Sequence, residues 1–121
     1  MKKEIAEKWV AALRSGQYAQ TTGTLRSADQ FCCLGVLCDL YAKEKQVPWG
    51  KPAPDLRMWE FLGETDILPV AVQAWAGIDS ADGYLPKEDY VLKDQDLATY
   101  NDDGMTFSEI ADVIEEYRAD L

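Results

Sequence analysis

The chain contains no histidine. That removes the commonest general base, and the usual partner that turns a cysteine or serine into a nucleophile. A structural zinc site would need about four ligands, and only Cys32, Cys33 and Cys38 are on offer. No C-x-x-C pair occurs, which excludes a thioredoxin-like redox site. Glycine-rich phosphate loops, a nucleophile elbow and kinase signatures are also missing. No apolar run approaches the roughly 18–20 residues that span a bilayer. The opening MKKEIAEKWVAAL places Glu4 and Glu7 where a secretory leader would be apolar. The expectation is a soluble cytoplasmic protein with no membrane segment, no metal, no cofactor and no recognisable catalytic residue.

Positive charge is scarce in one region only. Residues 1–78 balance, whereas residues 79–121 offer only Lys87, Lys93 and Arg118 against their acidic residues and so carry the entire net charge of −10. Such a field repels nucleic acid, whose binding relies on Lys and Arg displacing counterions. It favours a basic protein partner, or simply keeps the protein in solution. Asp112, Glu115 and Glu116 on the final predicted helix are the candidate protein-binding residues.

What is present reads as a globular chain. At 121 residues and 47% hydrophobic, one domain over 1–121 can bury a core without staples. Residues 3–15 carry Ile5, Trp9 and Leu13 at helical spacing, with Gly16 placed to end the helix. Residues 31–46 predict a second, central helix, apolar nearly all round in its first part. Gly35 inside it costs about 1 kcal/mol of helix propensity relative to Ala, which implies close approach by another element. QYAQTTGTLRS suits a short extended segment, with a bend at Gly23. VPWGKPAP is a loop pinned by Trp49, and DLRMWEFLG fits either a short helix or a strand. ILPVAVQAWAGI predicts a helix with Pro69 at its first position and Val70, Ala74 and Trp75 on one side. YVLKDQDLATY predicts one or two short strands. NDDG marks a turn, and Thr106 with Glu109 forms a T-x-x-E capping box, with Met105 and Ile110 as a hydrophobic staple. The sum is an α+β fold, four to five helices around a small antiparallel sheet.

QFCCLGVLCDLY, residues 30–41, gathers all three cysteines. On a helix, adjacent side chains diverge by about 100°, and Cys33 and Cys38 by about 140°, so the thiols do not converge on a metal. Buried cysteine behaves as a small hydrophobe, and packing is the favoured reading. Without histidine a thiolate would need a Lys, an Arg or a helix N-terminus, and Cys32 or Cys33 near the start of the helix is placed to use the last. Carboxylate pairs occur at Glu88–Asp89, Asp94/Asp96, Asp102–Asp103 and Asp112/Glu116. An EF-hand started at Asp94 would put Thr99 at the glycine position and end in Met105, which leaves only a looser cation site. TFSEIADVIEEY resembles the first helix of a helix-turn-helix, but no recognition helix follows.

One polar cluster suggests a ligand. Arg14, Tyr18, Gln20, Thr22 and Arg26 fall around the end of the first helix, and two guanidiniums with an aromatic ring and an amide can hold a small anion or nucleotide. Taken in order, KWVAALRSGQY, QTTGTLR, FCCLGVLCDL, LPVAVQAW and YNDDGMTFSEIADVIE make the chain resemble a widespread group of small phage and prophage proteins. The resemblance implies a viral context inside a bacterial cytosol and brings no active-site residues with it. The leading expectation is a phage accessory protein that works by binding a basic partner. A nucleotide- or anion-binding protein using Arg14, Tyr18, Gln20 and Arg26 is the alternative, and an enzyme with an unrecognised site is the third.

Overall fold

Helix α2, Cys33–Lys45, is the element around which the others are arranged, with Cys33 to Asp39 all buried. It begins two residues later than the apolar pattern suggests. Phe31 belongs to a strand, and Cys32 is the N-cap, its sulfur accepting from the Gly35 amide at 3.4 Å. This computed structural model describes residues 1–51, 57–85 and 95–121. Within them lie five α-helices and a small three-stranded sheet, an α+β domain.

Helix α1, Lys3–Arg14, buries Ile5, Ala6, Trp9, Val10 and Leu13, the face its spacing predicts. Trp9 is wholly buried, and its indole N–H donates to the Cys33 carbonyl at 2.9 Å, so a large apolar ring reaches the centre with its polar atom satisfied. The sheet follows, with β1 at Ala19–Gln20, β2 at Arg26–Ser27 and β3 at Gln30–Phe31. Its order is β1-β3-β2; β2 pairs antiparallel with β3, whereas β1 pairs parallel with it, so the sheet is mixed. β3 takes the middle place because it leads directly into α2. The left-handed residue Ala28 turns the tight β2–β3 hairpin. Residues 57–61 run extended beside β2, bonding Trp59 N–H to the Arg26 carbonyl at 3.0 Å, which assigns the described part of DLRMWEFLG to strand-like backbone.

Helix α3, Val70–Ala76, has Pro69 at its N-cap position and ends at left-handed Gly77. Its buried residues are Val72 and Ala76, while Val70 is 80% exposed, so its inner face is rotated from the one expected. Helix α4, Leu97–Asp102, replaces the strand expected at the end of YVLKDQDLATY. Asp96 caps it, accepting from the Thr99 amide at 2.6 Å, and this local bond outweighs the strand preference of Thr99 and Tyr100. Residues 90–94 of that expectation lie outside the described residues. Helix α5, Phe107–Tyr117, starts with the predicted capping box, both bonds present, and buries Phe107, Ile110, Ala111 and Ile114 mainly against α1. A short 3₁₀ turn, Arg118–Asp120, follows. Among the described residues no helix is long and apolar enough to cross a membrane.

Two contacts lock these elements. A Cβ on Gly35 would lie 1.8 Å from the Leu25 carbonyl oxygen, so only glycine lets the chain before β2 rest on α2. Asn101, fully buried, accepts from the Cys33 amide at 3.1 Å and from Gln20 Nε2 at 2.8 Å, and donates to the Thr21 carbonyl at 2.8 Å. It thereby joins the start of α2, the β1 segment and α4 in one site. Gly35→Ala should lower stability by about 3 kcal/mol or more, because backbone must move to admit the methyl group. Urea unfolding measures it, and a midpoint close to the parent's would show that the contact is loose.

Candidate functional site

One predicted ligand residue, Arg14, meets the predicted protein-binding residues on one surface. Arg14, in the last turn of α1, extends across to α5, where its Nη2 lies 2.5 Å from Asp112 Oδ1 and 2.7 Å from Glu115 Oε1. Hydrogen bonds to Glu115 and then Asp112 raise the guanidinium pKa further. All three side chains are substantially exposed, so the pairing fixes geometry more than it adds stability. Glu116 is exposed beside them. Asp102, Asp103, Glu109 and Asp120 are exposed around the same helix, and Arg118 is the one cation among residues 95–121. The capping box decides this arrangement: it sets the phase of α5 so that Phe107, Ile110 and Ile114 face inward and the acids outward.

The other predicted ligand residues serve the fold. Gln20 Nε2 donates to Asn101 Oδ1 and to the Met105 carbonyl, each at 2.8 Å, and so holds β1 to the turn before α5. The Tyr18 hydroxyl donates to Asp39 Oδ2 at 2.5 Å. The Arg26 guanidinium stacks 4.2 Å above Trp59, with Phe31 at 5.0 Å and Trp49 at 5.4 Å, a cation among aromatic faces. No hydrogen bond joins any two of Arg14, Tyr18, Gln20 and Arg26, and they do not converge as one cradle. Tyr18 and Arg26 approach each other only as neighbours of the Phe31 ring.

Asp39 is the centre that sequence reasoning missed. Its side chain, 12% exposed, accepts from Tyr18 and from Trp49 Nε1 at 3.1 Å, and lies 3.0 Å from Lys43 Nζ. Burial alone would raise its pKa, but the hydrogen bonds from Tyr18, Lys43 and Trp49 outweigh that and hold it below its usual value of 3.8. Burial, with the Asp39 charge adding to it, lifts the Tyr18 phenol above its usual range, and Lys43 opposes. Asp39 and Lys43 are therefore ionised while Tyr18 keeps its proton, and the group is bonded to itself, so it pins the Trp49 loop rather than moving protons. The one available signal was Asp39, a lone charge in the apolar first part of the helix, standing one helical turn before Lys43.

The cysteines are buried free thiols. Cys32 does sit at a helix N-terminus, yet burial pushes its thiol up to about 11, against the opposing amides of Gly35 and Leu34. Burial raises Cys33 and Cys38 well above the usual thiol range. The Cys33 thiol donates to the Leu97 carbonyl at 3.5 Å. Among the described residues no three Cys, Asp or Glu side chains gather where a metal could sit. Lys87, Glu88, Asp89, Lys93 and Asp94 lie outside the described residues.

These features define an α+β domain that carries a charged, exposed face along α5. The chain belongs to the family described as Domain of unknown function (DUF8296), whose model matches residues 1–118. No curated protein and no solved structure matches it.

Two expectations follow. Native protein should resist thiol reagents, with all three cysteines reacting only on unfolding; fast labelling of folded protein would contradict the burial. Because the native pKa of Asp39 is lowered, its contribution to stability is full above the usual carboxylate value and lost as pH falls through the native one. Asp39→Asn should therefore be less stable than the parent at pH 7, with the gap closing as denaturation is measured at pH values progressively below 3.8. A gap that does not change with pH would assign the loss to packing instead.

Proposed function

We propose that this chain is a phage or prophage accessory protein that acts by binding, within the cytoplasm of a bacterial host, and presents the outer face of α5 to a basic surface on a protein partner. One observation carries the reading. Part of the acidic excess of the last third is gathered on one element: Asp112, Glu115 and Glu116 stand exposed on one helix, with Glu109 and Asp103 before them. Arg14 engages two of these carboxylates from the side and leaves Glu116 without an ion-pair partner among the described residues. A rigid helix carrying a row of like charges repels nucleic acid and steers a positively charged surface toward it. Binding rather than catalysis is supported by the saturated state of Asp39 and by the buried, protonated thiols.

The test uses the purified chain against a bacterial lysate and then against each captured protein singly. Affinity for the partner should fall about tenfold or more between low and physiological salt, chiefly through slower association. The doubly substituted Asp112→Lys, Glu116→Lys protein should lose most of that affinity while keeping the parental unfolding midpoint. Salt-insensitive binding, or full binding by the substituted protein, would move the interface elsewhere.

A further inference from the structure

Between α1 and α5 the surface opens into a groove of about 360 Å³, a volume that suits a small ligand. Ala6 and Val10, both buried, form its apolar floor. Lys3, Glu7, Val10 and Arg14 recur at three- and four-residue steps, so they lie along one face of α1 and span about 16 Å. The two ends differ. At one, Arg14 is bound to Glu115 and Asp112 and closes the groove. At the other, Lys3 and Arg118 line the wall, and neither side chain forms a hydrogen bond or an ion pair among the described residues. Glu7, one turn from Lys3, does not pair with it either, in the less favourable Lys-before-Glu order.

Two cations without partners, in a protein with a surplus of ten negative charges, border an apolar floor. We propose that the groove binds a small amphiphilic monoanion: a carboxylate on a short unbranched hydrocarbon, the head between Lys3 and Arg118 and the tail along Ala6 and Val10 toward the Arg14 end. Charge selects the head group. Lys3, Arg14 and Arg118 against Glu7 and Glu115 leave the lining with one net positive charge, which a monoanion neutralises and a dianionic phosphate exceeds at a larger desolvation cost. Shape selects the tail, since no aromatic ring lines the groove to stack a nucleobase. This site meets the acidic outer face of α5 at Glu115, which lines it, while Glu116 does not.

Hexanoate, octanoate and decanoate, titrated separately into ¹⁵N-labelled protein, test the proposal. Saturable shifts should centre on residues 3–14 and 115–118, and affinity should rise about tenfold for each two added methylenes until the groove is full. Lys3→Glu with Arg118→Glu should weaken octanoate at least tenfold, whereas Lys3→Arg should keep it. Ala11→Trp, at the exposed rim, should block the tail without touching either cation. Glu116→Lys should leave octanoate binding unchanged. The proposal is overturned by unsaturable shifts, by octylamine binding as tightly as octanoate, by octyl phosphate binding more tightly, or by full affinity in the Lys3/Arg118 variant.

Discussion

The backbone of Leu25 lies where the side chain of residue 35 would otherwise stand, and the rest of the molecule depends on that contact. Because Gly35 has no Cβ, the segment before β2 can settle on the first turn of α2. The Cys32 amide then bonds to the Leu25 carbonyl at 3.1 Å, and the Leu25 amide to the Thr65 carbonyl at 2.7 Å. That brings four separate parts of the chain to one place: the strand entering α2, the helix itself, the segment before β2, and the turn after Phe61. A helix buried at its N-terminus must still satisfy its leading amides. Here Asn101 takes the Cys33 amide, the Cys32 sulfur that of Gly35, and the Cys32 carbonyl that of Val36.

The cysteine-rich decamer takes its meaning from this arrangement. Cys32 is a cap, Cys33 a buried donor and Cys38 a packing residue. Cysteine suits such positions because it is small, apolar and able to form weak hydrogen bonds without the desolvation cost of a hydroxyl. A serine at 32 would cap more strongly on the surface, but here the site is closed to water. Among the described residues the polar interior is then confined to Asn101, which has its bonds filled, and to Asp39 at the edge.

Elements governed by neighbours in sequence were the legible ones. α1 declared itself through Ile5, Trp9 and Leu13, α5 through the Thr106–Glu109 box, and the missing Cβ of Gly35 pointed to a close approach. Errors arose where distant partners decide. Phe31 fits the apolar stripe of α2, yet pairing with Arg26 and Gln20 draws it into the sheet. Val70 fits an inward face, yet the chain entering α3 turns Val72 and Ala76 inward instead. The parallel β1–β3 pairing has no local signature at all. The Asn101 contacts cross about eighty residues, and the Asp39 network needs Trp49 from a proline-rich loop, so neither centre shows a motif. For the same reason the proposed ligand residues dispersed: closeness in sequence put Arg14, Tyr18, Gln20 and Arg26 together, and folding gave each a different partner.

Arg14 shows how charge is divided between the two faces of α5. By binding Asp112 and Glu115 it moors α1 to α5 at one end, where both helices would otherwise be joined by apolar contacts alone. The same bonds commit that guanidinium to Asp112 and Glu115, so Glu116 keeps its charge toward solvent. At the far end of the same helix pair the balance reverses. Lys3 and Arg118 remain uncommitted there, in a groove whose floor is apolar. Antiparallel packing of one amphipathic helix on another thus yields an anionic outer face and a locally cationic groove within a few turns. A macromolecule with a basic surface and a small organic anion would be drawn to different sides of α5, with the Arg14–Glu115 pair at the boundary between them.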